Sequence, residues 1–243
     1  MTMRIFNLKY GIIPACDLKT IDDLEKLVEF TCNIEGIVGY KIGAILGLKY
    51  SLKTIVDRIS SHTDLPIIYD HQKLGTDIPE ICGVDMLEVC KDAGVDAVII
   101  FPQSGYETLK STVEGCVKLD LVPIVGGEMT HKNYLVKDGG YIANNAPKRM
   151  YLDAAKLGVE YFVIPGTKVD KMKEYRLLLE KIIKPKFLFP GIGKEYQGGD
   201  ILKAFEAVSS LSSYAIVGRA IYAAKNIREA AKRLCEVVRS FSD

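Results

Sequence analysis

The stretch IIYDHQKLGTDIPE sets Asp70, Lys73 and Asp77 directly behind an apolar run. A lysine between two carboxylates suits a site that holds charge and delivers a proton. The same three charges could instead form a loose salt bridge on a surface loop. Their place at the mouth of an apolar strand favours chemistry. A second lysine, Lys41, lies inside VGYKIG with apolar neighbours on both sides. Lysine is rarely buried unless an acid pairs with it, and Asp70 on the next strand is the natural partner. Alternatively, the Lys41 stem packs on apolar surface while its amine reaches water.

Two late loops have a different chemistry. FPGIGKEYQGGD and IVGRAIY combine glycines with Gln197 and Arg219. Glycine lets backbone N–H groups approach an anion, and arginine supplies a forked cation, so the pair reads as a phosphate site. Each loop alone would pass for a glycine turn. A dinucleotide fingerprint is excluded, because Gly191 and Gly193 are followed by Tyr196 where a third glycine is required.

These residues need a scaffold that brings them to one place. Short apolar, β-branched runs at 12–17, 39–43, 66–73, 97–102, 122–127, 161–166, 186–193 and 214–219 read as strands. Runs such as AVIIFP, VPIVGG and YAIVGR are apolar on both faces, which marks a parallel sheet covered by helices. Amphipathic stretches alternate with them. One opens at Thr20 with acids in its first turn, and two end at Gly94 and Gly158. Eight strand–helix units in 243 residues predict a single α/β domain, a (β/α)8 TIM-type barrel over 1–243. A doubly wound open sheet shares the alternation. The barrel is preferred because Asp17, Lys41, Asp70, Lys73, Gln103, Gly193 and Arg219 all fall at strand C-terminal ends, which converge on one mouth only in a barrel. The irregular segment 131–146 is expected to act as a lid over that mouth.

Composition narrows the classes. With 32 Lys plus Arg against 31 Asp plus Glu, the net charge of +1 gives no global attraction to nucleic acid or an anionic membrane. Any anion must be met locally. Cys16, Cys32, Cys82, Cys90, Cys116 and Cys235 show neither a C-x-x-C pair nor zinc-ligand spacing, and read as small hydrophobes in a reducing compartment. The start MTMRIFNLKYG lacks the apolar run of a secretory signal, and no stretch approaches the ~20 apolar residues of a membrane span. A cytoplasmic protein is expected.

From residue 12 to 219 the motifs resemble the orotidine 5′-phosphate decarboxylase family. The likeness lies in Pro14-Ala15-Cys16-Asp17, Tyr40-Lys41-Ile42-Gly43, the aspartate–lysine group ending in Asp77-Ile78-Pro79, and Glu128-Met129-Thr130-His131. Pro190-Gly191-Ile192-Gly193, Gln197-Gly198-Gly199-Asp200 and Ile216-Val217-Gly218-Arg219 resemble its phosphate loops. One departure stands out. Asp70 and Lys73 are three apart where the family has two, so on a regular strand they would face opposite sides. A bulge would restore the shared direction; alternatively His71 takes the aspartate's place.

The resemblance implies a decarboxylation to UMP in pyrimidine nucleotide biosynthesis, with no cofactor and no metal. Asp70 would crowd the departing carboxylate, and Lys73 would stabilise the C6 carbanion and protonate it. Lys41 would contact the ribose and tie Asp70, Asp17 would bind a ribose hydroxyl, and Thr130 would face the pyrimidine. Pro190, Gln197, Gly218 and Arg219 would hold the phosphate. Asp77 would reach the neighbour's site in a homodimer. Two alternatives remain: a metal-dependent sugar-phosphate lyase of the same superfamily, with Glu80 as a spare carboxylate, and a nucleotide-binding regulator without catalysis.

Overall fold

The computed structural model describes residues 5–71, 74–191 and 199–241. Its eight strands are β1 Tyr10–Cys16, β2 Tyr40–Gly43, β3 Ile67–Asp70, β4 Ala97–Ile100, β5 Val122–Gly126, β6 Tyr161–Val163, β7 Lys186–Phe189 and β8 Ser213–Val217. Each pairs in parallel with the next, and β8 closes on β1, giving a closed barrel. This is the (β/α)8 TIM-type architecture that the sequence predicts.

The period-two alternation of a strand separates two cores. Ile13, Ala15, Ile68, Ala97, Ile99, Ile124, Val163, Leu188 and Ile216 pack together inside the barrel. Their chain neighbours, among them Ile12, Ile67, Val98, Phe187 and Ala215, join the larger core between strands and helices. Phe6 is 1% exposed and closes the inner core, its ring 4.3 Å from that of Tyr214 and 5.8 Å from that of Tyr161.

The helices α1 Ile21–Thr31, α2 Ala44–Tyr50, α3 Leu52–Ser60, α4 Met86–Ala93, α5 Tyr106–Lys118, α6 Ala146–Lys156, α7 Val169–Leu179, α8 Gly199–Ala207, α9 Arg219–Tyr222 and α10 Ile227–Ser240 fill the connections. Thr20 caps α1 by accepting from the Asp23 amide, and Gly94 ends α4 in the left-handed conformation. None of the described helices is long and apolar enough to cross a membrane. All six cysteines are free, and all but Cys32 are buried.

Several strands stop short of their expected ends. β3 ends at Asp70 rather than at residue 73, because the chain turns at once: the Leu74 amide bonds the His71 carbonyl, and Leu74 is fully buried. The segment 131–146 is held at Tyr134 and Leu135, both buried, with a bridge between Leu135 and Ile142 and one short turn, Val136–Asp138.

Candidate active site

The alternation that builds the inner core also builds the site. Positions two residues beyond an inward-facing strand residue point into the barrel at its C-terminal end. Ala15 leads to Asp17, Ile68 to Asp70, Ile99 to Phe101, Leu188 to Pro190 and Ile216 to Gly218. Lys41 lies between Tyr40 and Ile42 of the outer core and therefore faces inward. Asp17, Lys41, Asp70, Phe101, Pro190 and Gly218 line one cavity of about 300 Å³, together with Glu128, Met129, Thr130, Arg219 and Tyr222.

At the β1–β3 side, the Lys41 Nζ donates to Asp70 Oδ2 at 3.0 Å and to Asp17 Oδ1 at 3.3 Å. The lysine side chain is 9% exposed, against 14% for Asp70 and 52% for Asp17. Burial alone would lower the Lys41 pKa. The negative charges of Asp70 and Asp17, and their hydrogen bonds, outweigh burial and hold it above the usual 10.5. Lys41 is thus a fixed ammonium. Gly43 makes room for this group, since a Cβ there would lie 2.9 Å from Asp17 Oδ1.

Next to β1, Arg219 begins α9 directly behind β8, and among the described residues no carboxylate pairs with it. Tyr222 stands beside it. Burial, reinforced by the charge of Asp17, raises the phenol above its ordinary value, so it remains a donor. Thr130 follows β5. It packs on Gly191, which has φ +77° and whose missing Cβ would come 2.9 Å from Thr130 Cγ2.

Of the expected site residues, Asp17, Lys41, Asp70, Thr130, Pro190, Gly218 and Arg219 line this cavity. Lys73 and Gln197 lie outside the described residues, as does Gly193. His71 turns aside to hydrogen-bond the Tyr69 hydroxyl, so Asp70 is the residue of that pair that lines the cavity. Asp77 is exposed and outside the lining, and its Oδ1 accepts from the Ile78 amide. Gln103 also points elsewhere, donating to the Tyr134 hydroxyl. Residues 131–146 contribute nothing to the described lining, which in that region stops at Thr130.

Sequence reasoning missed a second charged group. Glu128 is 3% exposed, its Oε1 bonded to Lys168 Nζ at 2.6 Å and its Oε2 to the Tyr175 hydroxyl. A signal existed, since both Glu128 and Lys168 follow apolar strands. Their pairing spans forty residues and leaves no local trace.

A family model described as Orotidine 5'-phosphate decarboxylase / HUMPS family matches residues 11–234. The orotidine 5′-phosphate decarboxylase of Pyrococcus abyssi is 33% identical over 229 residues, spanning 94% of this chain and 99% of that relative. That of Methanosphaera stadtmanae is 28% identical over 242 residues, spanning 96% and 99%. Among solved structures, orotidine 5′-monophosphate decarboxylase from Methanocaldococcus jannaschii, complexed with inhibitor BMP, superposes with a TM-score of 0.78 at 26% identity, covering 94% of this chain and 98% of that one.

Proposed function

Because the chain belongs to the orotidine 5′-phosphate decarboxylase / HUMPS family, we propose that it converts orotidine 5′-phosphate to UMP and CO2. The observation that carries this reading is one cavity that holds both an acid–lysine–acid group and Arg219, an arginine with no carboxylate partner among the described residues. An orotate nucleotide carries a reacting carboxylate and a phosphate, and the cavity has charged groups to meet both. Full-length relatives that bear the decarboxylase name support the choice of substrate.

In this reading Asp70 lies against the substrate carboxylate and raises its energy before the bond breaks. Cleavage of the C6–carboxylate bond releases CO2 and leaves the electron pair on C6. The Lys73 ammonium stabilises that pair and gives C6 its proton, and solvent later reprotonates the amine. Lys41 holds Asp70 in place and contacts the ribose, whose hydroxyl Asp17 accepts. Thr130 meets the pyrimidine. Pro190, Gln197, the Gly218 amide and Arg219 receive the phosphate. The protein supplies the electrostatics itself, without cofactor or metal.

The further expectations belong to the same proposal. Asp77, exposed beside Ile78 at 53% exposure, acts in the partner's site of a homodimer. The segment 131–146, which follows the cavity-lining Thr130, serves as a lid. The protein works in the cytoplasm, in pyrimidine nucleotide biosynthesis.

The test is turnover of orotidine 5′-phosphate by chelator-treated protein, followed by loss of the substrate's absorbance. Activity is expected without metal and is expected to vanish in Lys73→Ala while UMP still binds. Activity that returns only with magnesium would favour the metal-dependent lyase, and nucleotide binding without turnover would favour the regulator. For the dimer, mixing inactive Asp77→Asn and Lys73→Ala proteins is expected to restore some activity, because a hybrid holds one intact site.

A further inference from the structure

We propose that Glu128, Lys168 and Tyr175 form a positioning unit that fixes the turn 127–130 and so presents Thr130 and Met129 to the base-binding end of the cavity. This rests on the orotidine 5′-phosphate reading and deepens it.

The turn after β5 is tied at the Gly127 and Met129 carbonyls, the Glu128 amide and both Glu128 carboxylate oxygens. The Tyr134 hydroxyl donates to the Gly127 carbonyl at 3.0 Å. The Glu128 amide donates to the Tyr151 hydroxyl at 3.2 Å, which itself donates to the Val163 carbonyl at 2.8 Å. Each carboxylate oxygen of Glu128 has its own donor, Lys168 for one and Tyr175 for the other. Lys168 Nζ also reaches the Met129 carbonyl at 3.2 Å. Contacts therefore come from Tyr151 in α6 and from Lys168 and Tyr175 at the start of and within α7.

Stability alone does not account for this. A buried ion pair roughly breaks even against apolar residues of the same volume. What a fully satisfied polar network provides is one defined geometry. Here the geometry is that of two residues, Met129 and Thr130, which both line the cavity. Burial, with the charge of Glu128 added, raises the Tyr175 phenol far above its usual value, so the donor is permanent. The ammonium of Lys168 neutralises the Glu128 carboxylate, and the cavity gains no further charge from the pair. Glu128 thus acts through Thr130 rather than on the ligand.

The experiment compares two ligands, UMP and ribose 5-phosphate, by calorimetry on the full chain. Tyr175→Phe keeps the ring, and Lys168→Met alters a side chain that is 31% exposed, so both proteins are expected to fold. Each should weaken UMP about tenfold, the equivalent of one hydrogen bond to a charged group, with ribose 5-phosphate held within about twofold. Lys168→Arg should recover most of the loss. In a Thr130→Ala background, Tyr175→Phe should have little further effect, because the two act as one unit. Equal weakening of both ligands, unchanged UMP binding, or strictly additive double variants would each overturn the proposal. Wild-type protein that binds UMP no better than ribose 5-phosphate would overturn the pyrimidine reading first, and the positioning unit with it.

Discussion

On the β1–β3 side of the cavity a lysine stands between two carboxylates; on the β5–β6 side a carboxylate stands between a lysine and a phenol. In the first group the cation is the buried member, and Asp17 keeps half of its side chain exposed. In the second the anion is buried, and the cation reaches toward water. In the first triad Asp17 keeps an exposed carboxylate that a ligand can reach. The second is closed, since every oxygen of Glu128 is used by its own protein. Similar residues thus serve two ends. An open group has an exposed carboxylate to offer a substrate, while a closed one has only shape to offer.

The largest expected effect is Lys41→Met. It removes the ammonium that Asp17 and Asp70 share, and breaking a buried pair such as Lys41–Asp70 costs about 3–5 kcal/mol. If that loss falls on the transition state, kcat/KM drops by roughly 10²–10⁴. Lys168→Met also strands a buried carboxylate, Glu128, so its stability cost should be comparable, but its effect on turnover should be far smaller and appear in KM. A larger loss from Lys168→Met than from Lys41→Met would reverse the assignment of open and closed groups. Next in size is Arg219→Ala, with about 1.5–3 kcal/mol of phosphate binding at stake. It should raise KM by roughly tenfold to a hundredfold. Unchanged kcat/KM in that variant would remove the phosphate from the Arg219 end of the cavity.

The open group was legible in the sequence and the closed group was not, for a physical reason. Strand alternation is local, so an aspartate or lysine at the mouth of an apolar run declares both its face and its end of the barrel. Asp17, Lys41, Asp70 and Arg219 were readable in this way. Glu128 obeys the same rule, but its neutralisation by Lys168 and Tyr175 depends on how α7 packs, which no short-range pattern encodes. The end of β3 was misread for a related reason. Residues 71–73 continue a plausible strand composition, whereas burial of Leu74 and the positive φ of Gly75 turn the chain after Asp70. The spacing between Asp70 and Lys73 stays an expectation, because Lys73 lies outside the described residues. The helices at 44–50 and 52–60 were not singled out either. α2 buries only Leu46, so its apolar pattern is weak even though the connection needs it.

The smallest effect is the one that resolves the open group most finely. Lys41 is held above 10.5 by Asp70 and Asp17 against the opposing effect of burial. A lysine whose folded pKa is raised contributes stability that is fully present below its unfolded value, and that is lost as the pH climbs through the folded one. Asp70 is nearer than Asp17 and less exposed, at 3.0 Å and 14% against 3.3 Å and 52%. Less solvent screens its charge, so Asp70→Asn should lower the Lys41 pKa more than Asp17→Asn does. With Asp70 neutralised, burial is opposed by Asp17 alone, and Lys41 should fall below its ordinary value. The sign of the linkage then reverses. Between the lowered value and 10.5 the unfolded chain binds more protons than the folded one, so stability should rise with pH in that interval, where the wild-type lysine contributes no slope. Nitrogen-detected NMR of the lysine Nζ gives the pKa, and melting curves across the alkaline range give the slope. If Asp17→Asn moved the Lys41 signal further than Asp70→Asn, the exposed carboxylate would be the stronger partner, and Asp70 would be held chiefly by some group other than Lys41.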